Sequence, residues 1–462
     1  MKRILCSVLA LGLLAGCVPA PSGGMTTAET AETAPAPTAA PQQLTVYYEA
    51  GASTAAARAL QQYADAQGVE LVDLSDTADP AQADLAVLGA APAADDGSWL
   101  NMSADSLLST AAIRAGVDAE TAVSAVTALP LGKTLYGYWA DSRMLAALFQ
   151  TEDTDTLVAD LKAADWSEWS LLAETVTQWL AEPAETTVTL NGSDYTLPDQ
   201  KPESAADLKA VFTLPMSHAS AAFGGAAFTG VLLAAGEERT ETTLTGPLNG
   251  LYSALTLELA NRDAGAMPDQ SEAAGALQAG EALFYRGTMA DLLVHTDSEL
   301  QDNLVCLPLK CDFVESDLST TEYNLTGLMN YPILSTAAWF AIPAGTDEEG
   351  VRAAAAAILW LYTSEPGEET LTETLGLITP WGTASNDTAA CQKQIDQVGA
   401  GILPEVTLTP AEQQALAVAG VALGFDEAGA PRTEFVRADR DTWRDAVIAA
   451  LVPAGTDGDS EG

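Results

Sequence analysis

The sequence predicts an α/β protein of two lobes, and three observations predict it. Strand-like and helix-like runs follow one another in β-α-β-β order from residue 44. About 400 residues remain beyond an N-terminal leader and linker, enough for two lobes of ordinary domain size. The chain is 48% hydrophobic, which allows each lobe its own core.

Leu44 to Tyr48 is a β-rich run, followed by a Gly51-Ala52-Ser53-Thr54 turn and an Ala-rich helical stretch from Ala55 to Gln67. Gly68 stops that helix, Val69 to Leu74 forms a second strand and Ala83 to Gly89 a third. Open α/β sheets bind ligand at the carboxyl ends of their strands, so the loops after these strands are the expected ligand-facing ones. A β-rich segment then runs from Ala128 through Trp139 and Asp141 into a helix starting near Arg143-Met144. Asp165-Trp166-Ser167-Glu168-Trp169 opens an amphipathic helix that reaches Leu180.

The first 43 residues are of another kind. Met1-Lys2-Arg3 is basic, Ile4 to Leu14 is largely apolar, and Leu14-Ala15-Gly16-Cys17 closes the run. It is shorter than the ~20 apolar residues of a membrane span, so it reads as a secretory leader, residues 1–16. Leu-Ala-Gly-Cys resembles a bacterial lipobox, which implies a lipid on the Cys17 thiol and anchoring at the outer face of the cell membrane. Residues 17–43 are Pro, Ala, Thr, Ser, Gly and Glu with almost no large apolar side chain, an expected tether. Asp457 to Gly462 begins like a calcium loop but lacks the closing Glu, and 453–462 reads as an acidic tail.

The chain has 19 basic and 64 acidic residues. Removing residues 1–16 takes away Lys2 and Arg3 and no acid, leaving 17 against 64, or −47. Such a surface opposes nucleic acid and anionic lipid, which call for basic patches. Two His and no Cys-x-x-Cys leave zinc without a ligand pattern. Gly132-Lys133-Thr134 imitates the end of a P-loop, but Thr127 stands where its first Gly belongs. No Gly-x-Ser-x-Gly elbow occurs. Cys306 and Cys311 either stay free or form a disulfide, which would need a turn at Pro308, because positions five apart on a strand face opposite ways.

The order of parts resembles the solute-binding proteins of ABC importers, in particular the carbohydrate-binding family that includes the maltose-binding protein. Pro130 to Asp141 stands where that family's chain crosses between lobes, and Asp165-Trp166-Ser167-Glu168 where its Thr-Trp-x-Glu-like helix begins. Leu277 to Phe284 is similar to its Phe-x-x-Gly-Lys-Ala-Ala-Met segment, and Leu307-Pro308 to a strand ending in Leu-Pro. Ser335 to Pro343 with Asp347 to Tyr362 is similar to its return strand and following helix, and Gly376 to Pro380 to its Gly-x-x-Pro turn. Gly287-Thr288-Met289 stands where many sugar binders carry Gly-x-Trp, and Ala140-Asp141 where Tyr-Asn is usual.

The resemblance implies a periplasmic-binding-protein-like (type II) fold, an inter-lobe cleft and hinge strands. Residues 44–130 and 339–385 would form the first lobe, and 131–338 with the C-terminal helices of 386–452 the second. It implies a monomeric, lipid-anchored receptor that captures a small solute, an oligosaccharide, by hinge closure and delivers it to an ABC permease. Nucleotide chemistry would belong to the partner ATPase, and the chain would need no cofactor. A surface interaction lipoprotein with a degenerate cleft and an extracellular glycan-processing enzyme are the rival readings. Carboxylates within ~5–10 Å of each other in the cleft would favour the enzyme.

Sugar recognition calls for flat aromatic faces and for polar groups that take hydroxyls. Trp339, on the return strand, and Trp381, after the turn, are the candidate platform, with Trp99 in an Asp-Asp-Gly-Ser-Trp loop beside them. Glu49 ends the first strand, Lys133 and Thr134 lie in the crossing segment and Arg286 follows Phe284. Each of these also fits a packing or surface role. Tyr136 and Tyr138 share a strand face and suit packing at the crossing.

Overall fold

Leu44 and Val46 of the first strand, β1 (Gln43–Tyr48), are fully buried, while Thr45 and Tyr47 alternate onto the other face. The computed structural model describes residues 43–49, 52–75, 79–92, 97–105, 107–114, 126–216, 225–263, 268–379, 381, 389–406, 408 and 439–452. Cys17, the linker, Pro380 and the 453–462 tail lie outside the described residues.

After β1, the Ser53 hydroxyl accepts from the Ala55 amide and starts helix Thr54–Gln67, and Gly68 ends it at φ 68°. Each is the residue type its cap requires, since only Gly takes the left-handed conformation without strain. β2 (Glu70–Asp73), β3 (Leu85–Leu88), β4 (Ala128–Pro130) and, much later, β12 (Trp339–Ala341) complete a five-stranded sheet in the order β2-β1-β3-β12-β4. The first three strands are parallel, β12 runs against β3, and β4 runs against β12. Leu85, Val87, Leu129 and Phe340 join Leu44 and Val46 on one face, against helices Thr54–Gln67 and Glu348–Thr363. The opposite face carries Ala86, Leu88, Ala128 and Ala341.

The second sheet takes its strands from the chain between and after these. It has the order β13-β11-β5-β9-β8, from β5 (Lys133–Asp141), β8 (Ala210–Thr213), β9 (Ala282–Thr288), β11 (Ile333–Thr336) and β13 (Leu403–Pro404), with β10 (Leu304–Leu307) also paired to β5. An Asn191-Gly192 turn, both residues at positive φ, closes the separate hairpin of β6 (Thr186–Leu190) and β7 (Ser193–Leu197). Helix Trp166–Ala181 begins with the full capping box expected from Asp165 and Glu168. Its Trp169 stacks on Tyr138 at 5.2 Å and meets Phe212 and Phe284, an aromatic core for the second sheet.

Two segments read from the sequence as single strands are each broken in two. Leu131-Gly132 separates β4 from β5, and Ala337-Ala338 separates β11 from β12, so the chain changes sheet at both places. The two crossings bond to each other, Leu131 N–H to Ala338 O and Ala337 N–H to Gly132 O, both at 2.9 Å. A third segment joins them, because Lys133 and Ile378 exchange both of their backbone hydrogen bonds at 2.8 Å. Gly132 has φ 157°, and a Cβ there would stand 3.0 Å from the Leu377 Cβ. The third strand's close approach requires glycine.

Cys306 and Cys311 are free thiols. Cys306 packs in the cluster of Leu135, Trp139 and Tyr285, and Cys311 in the larger core on the other side of the sheet. Their packing in separate clusters keeps them apart, and burial pushes both thiols up to about 12.

Lys310 is fully buried. Its ammonium donates to Lys162 O (2.6 Å), Ala164 O (2.8 Å) and Asn330 Oδ1 (3.3 Å), closing the C-terminal end of helix Thr154–Ala163. Burial pulls it down to about 7. The folded chain then binds fewer protons here than the unfolded chain between pH 7 and the ordinary lysine value of 10.5. Stability from this group therefore rises with pH across that window and is flat below it. Melting temperatures of the wild type and Lys310→Met, measured from neutral to alkaline pH, should diverge, with only the wild type gaining. Parallel curves would show that Lys310 stays charged.

Candidate functional site

The strand directions decide where a site can form. β1, β3 and β4 end, and β12 begins, at the edge where the chain leaves the first sheet. β11 and β13 are parallel, both β11 and β9 run against β5, and β8 runs with β9, so all four end where β5 begins. The carboxyl edges of both sheets therefore lie at the crossings, the edge where open α/β sheets take ligands.

On the first wall, Glu49 stands one residue beyond β1, half-buried. Its Oε2 accepts from the Gly89 amide at 2.7 Å, tying the ends of β1 and β3 together. Burial raises this carboxyl above its ordinary value and the Gly89 amide partly opposes that. The Glu49 charge adds to burial in raising the nearby Tyr47 phenol. Trp339 opens β12 opposite Leu88 and Pro130. Trp99 lies farther from the edge, bridged to Pro343. Tyr47, Trp99 and Trp339, all partly exposed, pack on the same Ala86-Leu88-Ala128-Ala341 face. Small residues leave room for large rings there.

Trp381 is elsewhere. It packs on the other face of that sheet, 4.7 Å from the Tyr362 ring, with the Arg114 guanidinium 5.0 Å above it. Its buried Nε1 meets no acceptor among the described residues. The sheet thus separates Trp381 from Trp339, and the structure brings Trp339 together with Trp99 and Tyr47 instead.

The second wall starts at Lys133 and Thr134. The Lys133 ammonium donates to Thr336 Oγ1 at 2.7 Å, and burial lowers its pKa while the Glu405 charge raises it. Glu405 accepts from Ser335 Oγ and the Thr336 amide, both at 2.8 Å, and burial raises its carboxyl. Thr134 is fully buried, donating to Gln394 Oε1 at 3.1 Å and accepting from the Ala290 amide at 3.2 Å. Arg286 sits in the second sheet's core, 3% exposed, with its Nη1 2.5 Å from Glu258 Oε2. Tyr138 donates to the other Glu258 oxygen at 2.5 Å. A buried pair of this kind costs ~3–5 kcal/mol to break from one side, so Arg286 is placed as a structural cation away from the edge.

Sequence reasoning missed Tyr47, Asp291 and Glu405. Tyr47 was legible, since it precedes Glu49 by two and a strand puts both on one face. Asp291 forms an N-cap pattern with Thr288, whose hydroxyl accepts from the Asp291 amide at 3.1 Å. Its Oδ1 reaches the other lobe, taking Ser53 Oγ (2.6 Å), Thr54 Oγ1 (3.2 Å) and the Ala55 amide (3.3 Å). Glu405 had no local signal. Among the described residues, no group of three or more His, Cys, Asp or Glu could hold a metal ion, and no helix is long and apolar enough to cross a membrane.

No protein-family model matches this chain, and no curated protein matches it. Solved structures do. An ABC transporter solute-binding protein from Agrobacterium radiobacter K84, solved with ribitol, aligns at 12% identity and TM-score 0.53 over 89% of this chain and 98% of that one. The bacterial solute receptor AcbH, described as having an exclusive preference for β-D-galactopyranose, aligns at 13% identity and TM-score 0.52 over 88% and 98%. A probable secreted solute-binding lipoprotein from Streptomyces coelicolor aligns at 15% identity and TM-score 0.47 over 89% and 98%. The chain has the two-lobed α/β fold of solute-binding proteins.

The opposed positions of the two indoles lead to opposite expectations. Trp339→Ala should weaken solute binding roughly ten-fold, the ~1–2 kcal/mol of an aromatic platform contact, with little change in melting temperature. Trp381→Ala should leave affinity intact and lower stability by a few kcal/mol, as loss of a packed indole does. Calorimetry and thermal melts on both variants decide, and equal affinity losses would mean that both rings touch solute.

Proposed function

We propose that this chain is a lipid-anchored extracellular receptor that captures a small solute, an oligosaccharide, between its lobes and delivers it to an ABC permease. One observation carries the reading. Both sheets turn their carboxyl edges toward a junction spanned by three hydrogen-bonded segments, with partly exposed aromatic rings and a half-buried carboxylate on the first wall. The likeness in fold to solute-binding proteins supports it.

Binding would work by population shift. A solute touching both walls binds the closed arrangement better than the open one and so favours it. Bending would centre on Gly132 and Ala337-Ala338, where the chain changes sheet. Glu49, Trp99 and Trp339 would contact solute from the first wall, and Lys133 from the second. Thr134, buried beneath them, would hold the start of β5 in place. The reading involves no covalent step, so no cofactor enters it, and the energy for transport would come from the permease's own ATPase.

Small-angle scattering should show the radius of gyration falling when a cognate solute saturates the protein. An unchanged radius at saturation would count against closure.

Anchoring rests on residues 1–43 and is tested separately. Cys17→Ser should release the protein from the membrane fraction while its melting temperature stays the same, provided the leader is still cleaved. Mass spectrometry of the wild-type N-terminus should find lipid on Cys17, and a bare thiol there would overturn the anchoring.

A further inference from the structure

The charged groups at the junction are unevenly committed. One anion-binding feature there is the N-terminus of the 14-residue helix Thr54–Gln67. The chain's own Asp291 already fills it, with one oxygen taking Ser53 Oγ, Thr54 Oγ1 and the Ala55 amide and the other taking Thr288 Oγ1 at 2.6 Å. Asp291 is 3% exposed and is held from both lobes. An anionic solute group would find that position occupied by a carboxylate.

The cations of the second sheet are also engaged. Arg286 is buried against Glu258, and Lys133 donates to Thr336 Oγ1 beside Glu405. Glu405 is itself held by Ser335 and the Thr336 amide. Glu49 differs from these acids. It is half-buried, its bond to Gly89 uses one oxygen, and among the described residues no Lys or Arg forms an ion pair with it. It ends a strand that also presents Tyr47, on the face shared with Trp99 and Trp339. A carboxylate beside aromatic rings complements a cation, because the ring faces carry negative potential and attract ammonium groups. The chain's net charge of −45 raises the local concentration of cationic solutes in the same sense.

We propose that the solute is an amino sugar, with its protonated amine on the Glu49 carboxylate and its ring against the aromatic face of Tyr47, Trp99 and Trp339. This rests on the receptor reading above and names its ligand class. The hydroxyls of such a sugar would be read by the polar groups of the second wall. An N-acetylated sugar has the same ring and no charge, which makes it the matched control.

Calorimetric titration near neutral pH tests this with glucosamine, galactosamine, mannosamine and the glucosamine disaccharide, each beside its N-acetylated and its amine-free counterpart. The expected result is that an amino form binds at least roughly ten-fold more tightly than its neutral partners, a gap of ~1.4 kcal/mol. Glu49→Gln, shown by its melting temperature to be folded, should abolish that preference. Neutral forms binding equally well, or an amino preference that survives in Glu49→Gln, would overturn the amine assignment and leave the receptor reading standing. A folded protein that binds no member of the panel and no other small solute in a thermal-shift screen would overturn both.

Discussion

Three short backbone segments hold the two sheets in register, and the rest of the structure depends on that ladder. Leu131 and Gly132 bond to Ala338 and Ala337, and Lys133 exchanges both bonds with Ile378. Gly132 is needed because the third segment comes so close that a Cβ would meet Leu377 at 3.0 Å. Around the ladder, Gln394 accepts from Thr134 Oγ1 and the Leu135 amide and donates to Gly376 O, so the start of β5 and the third segment share one side chain. Tyr362 donates to the Pro130 carbonyl from the first-lobe side. Both cores are thus anchored at the same few residues.

Helix Met289–His295 makes a second link between the sheets. Ala290 packs into the first core, whereas Met289, Leu292 and Leu293 pack into the cluster beside the second sheet. Asp291 completes this link through the cap of helix Thr54–Gln67. Met289 is 1% exposed. It fills a core position, so the aromatic surface nearest the junction comes from Trp339 and Tyr47, on the other lobe, with Trp99 farther along the same face. On the first wall a carboxylate, Glu49, accompanies these rings.

Charge is managed differently at the surface and inside. The surface is strongly acidic, and most of its ion pairs are exposed and of small energetic weight. Inside, the Arg286–Glu258–Tyr138 group and the Lys310 nitrogen with its three acceptors are each held by specific partners. Removing one member leaves the others desolvated and unpaired, which makes these groups determinants of stability. Glu49 and Glu405 stand between the two regimes, half-buried at the edges, and burial raises both carboxyls.

The sequence by itself determined the α/β class, the β-α-β-β start, the stop at Gly68 and the helix start at Asp165. These are local properties, set by periodicity and by residues that satisfy helix ends, and both can be read within a few positions. Glu49 at a strand's carboxyl end and Trp339 at a return strand were legible for the same reason. Tertiary structure decided the rest. Which face of the sheet each Trp takes depends on segments far apart in sequence: the register of β12 against β3 and β4 sets Trp339, a bridge to Pro343 holds Trp99 on the same face, and Trp381 packs behind the sheet beside Tyr362. The pairing of Arg286 with Glu258, the reach of Asp291 to Ser53 and the approach of Glu405 to Thr336 join residues 28 to 238 positions apart. No local pattern encodes such distances, because they follow from how two cores pack around one ladder of crossings.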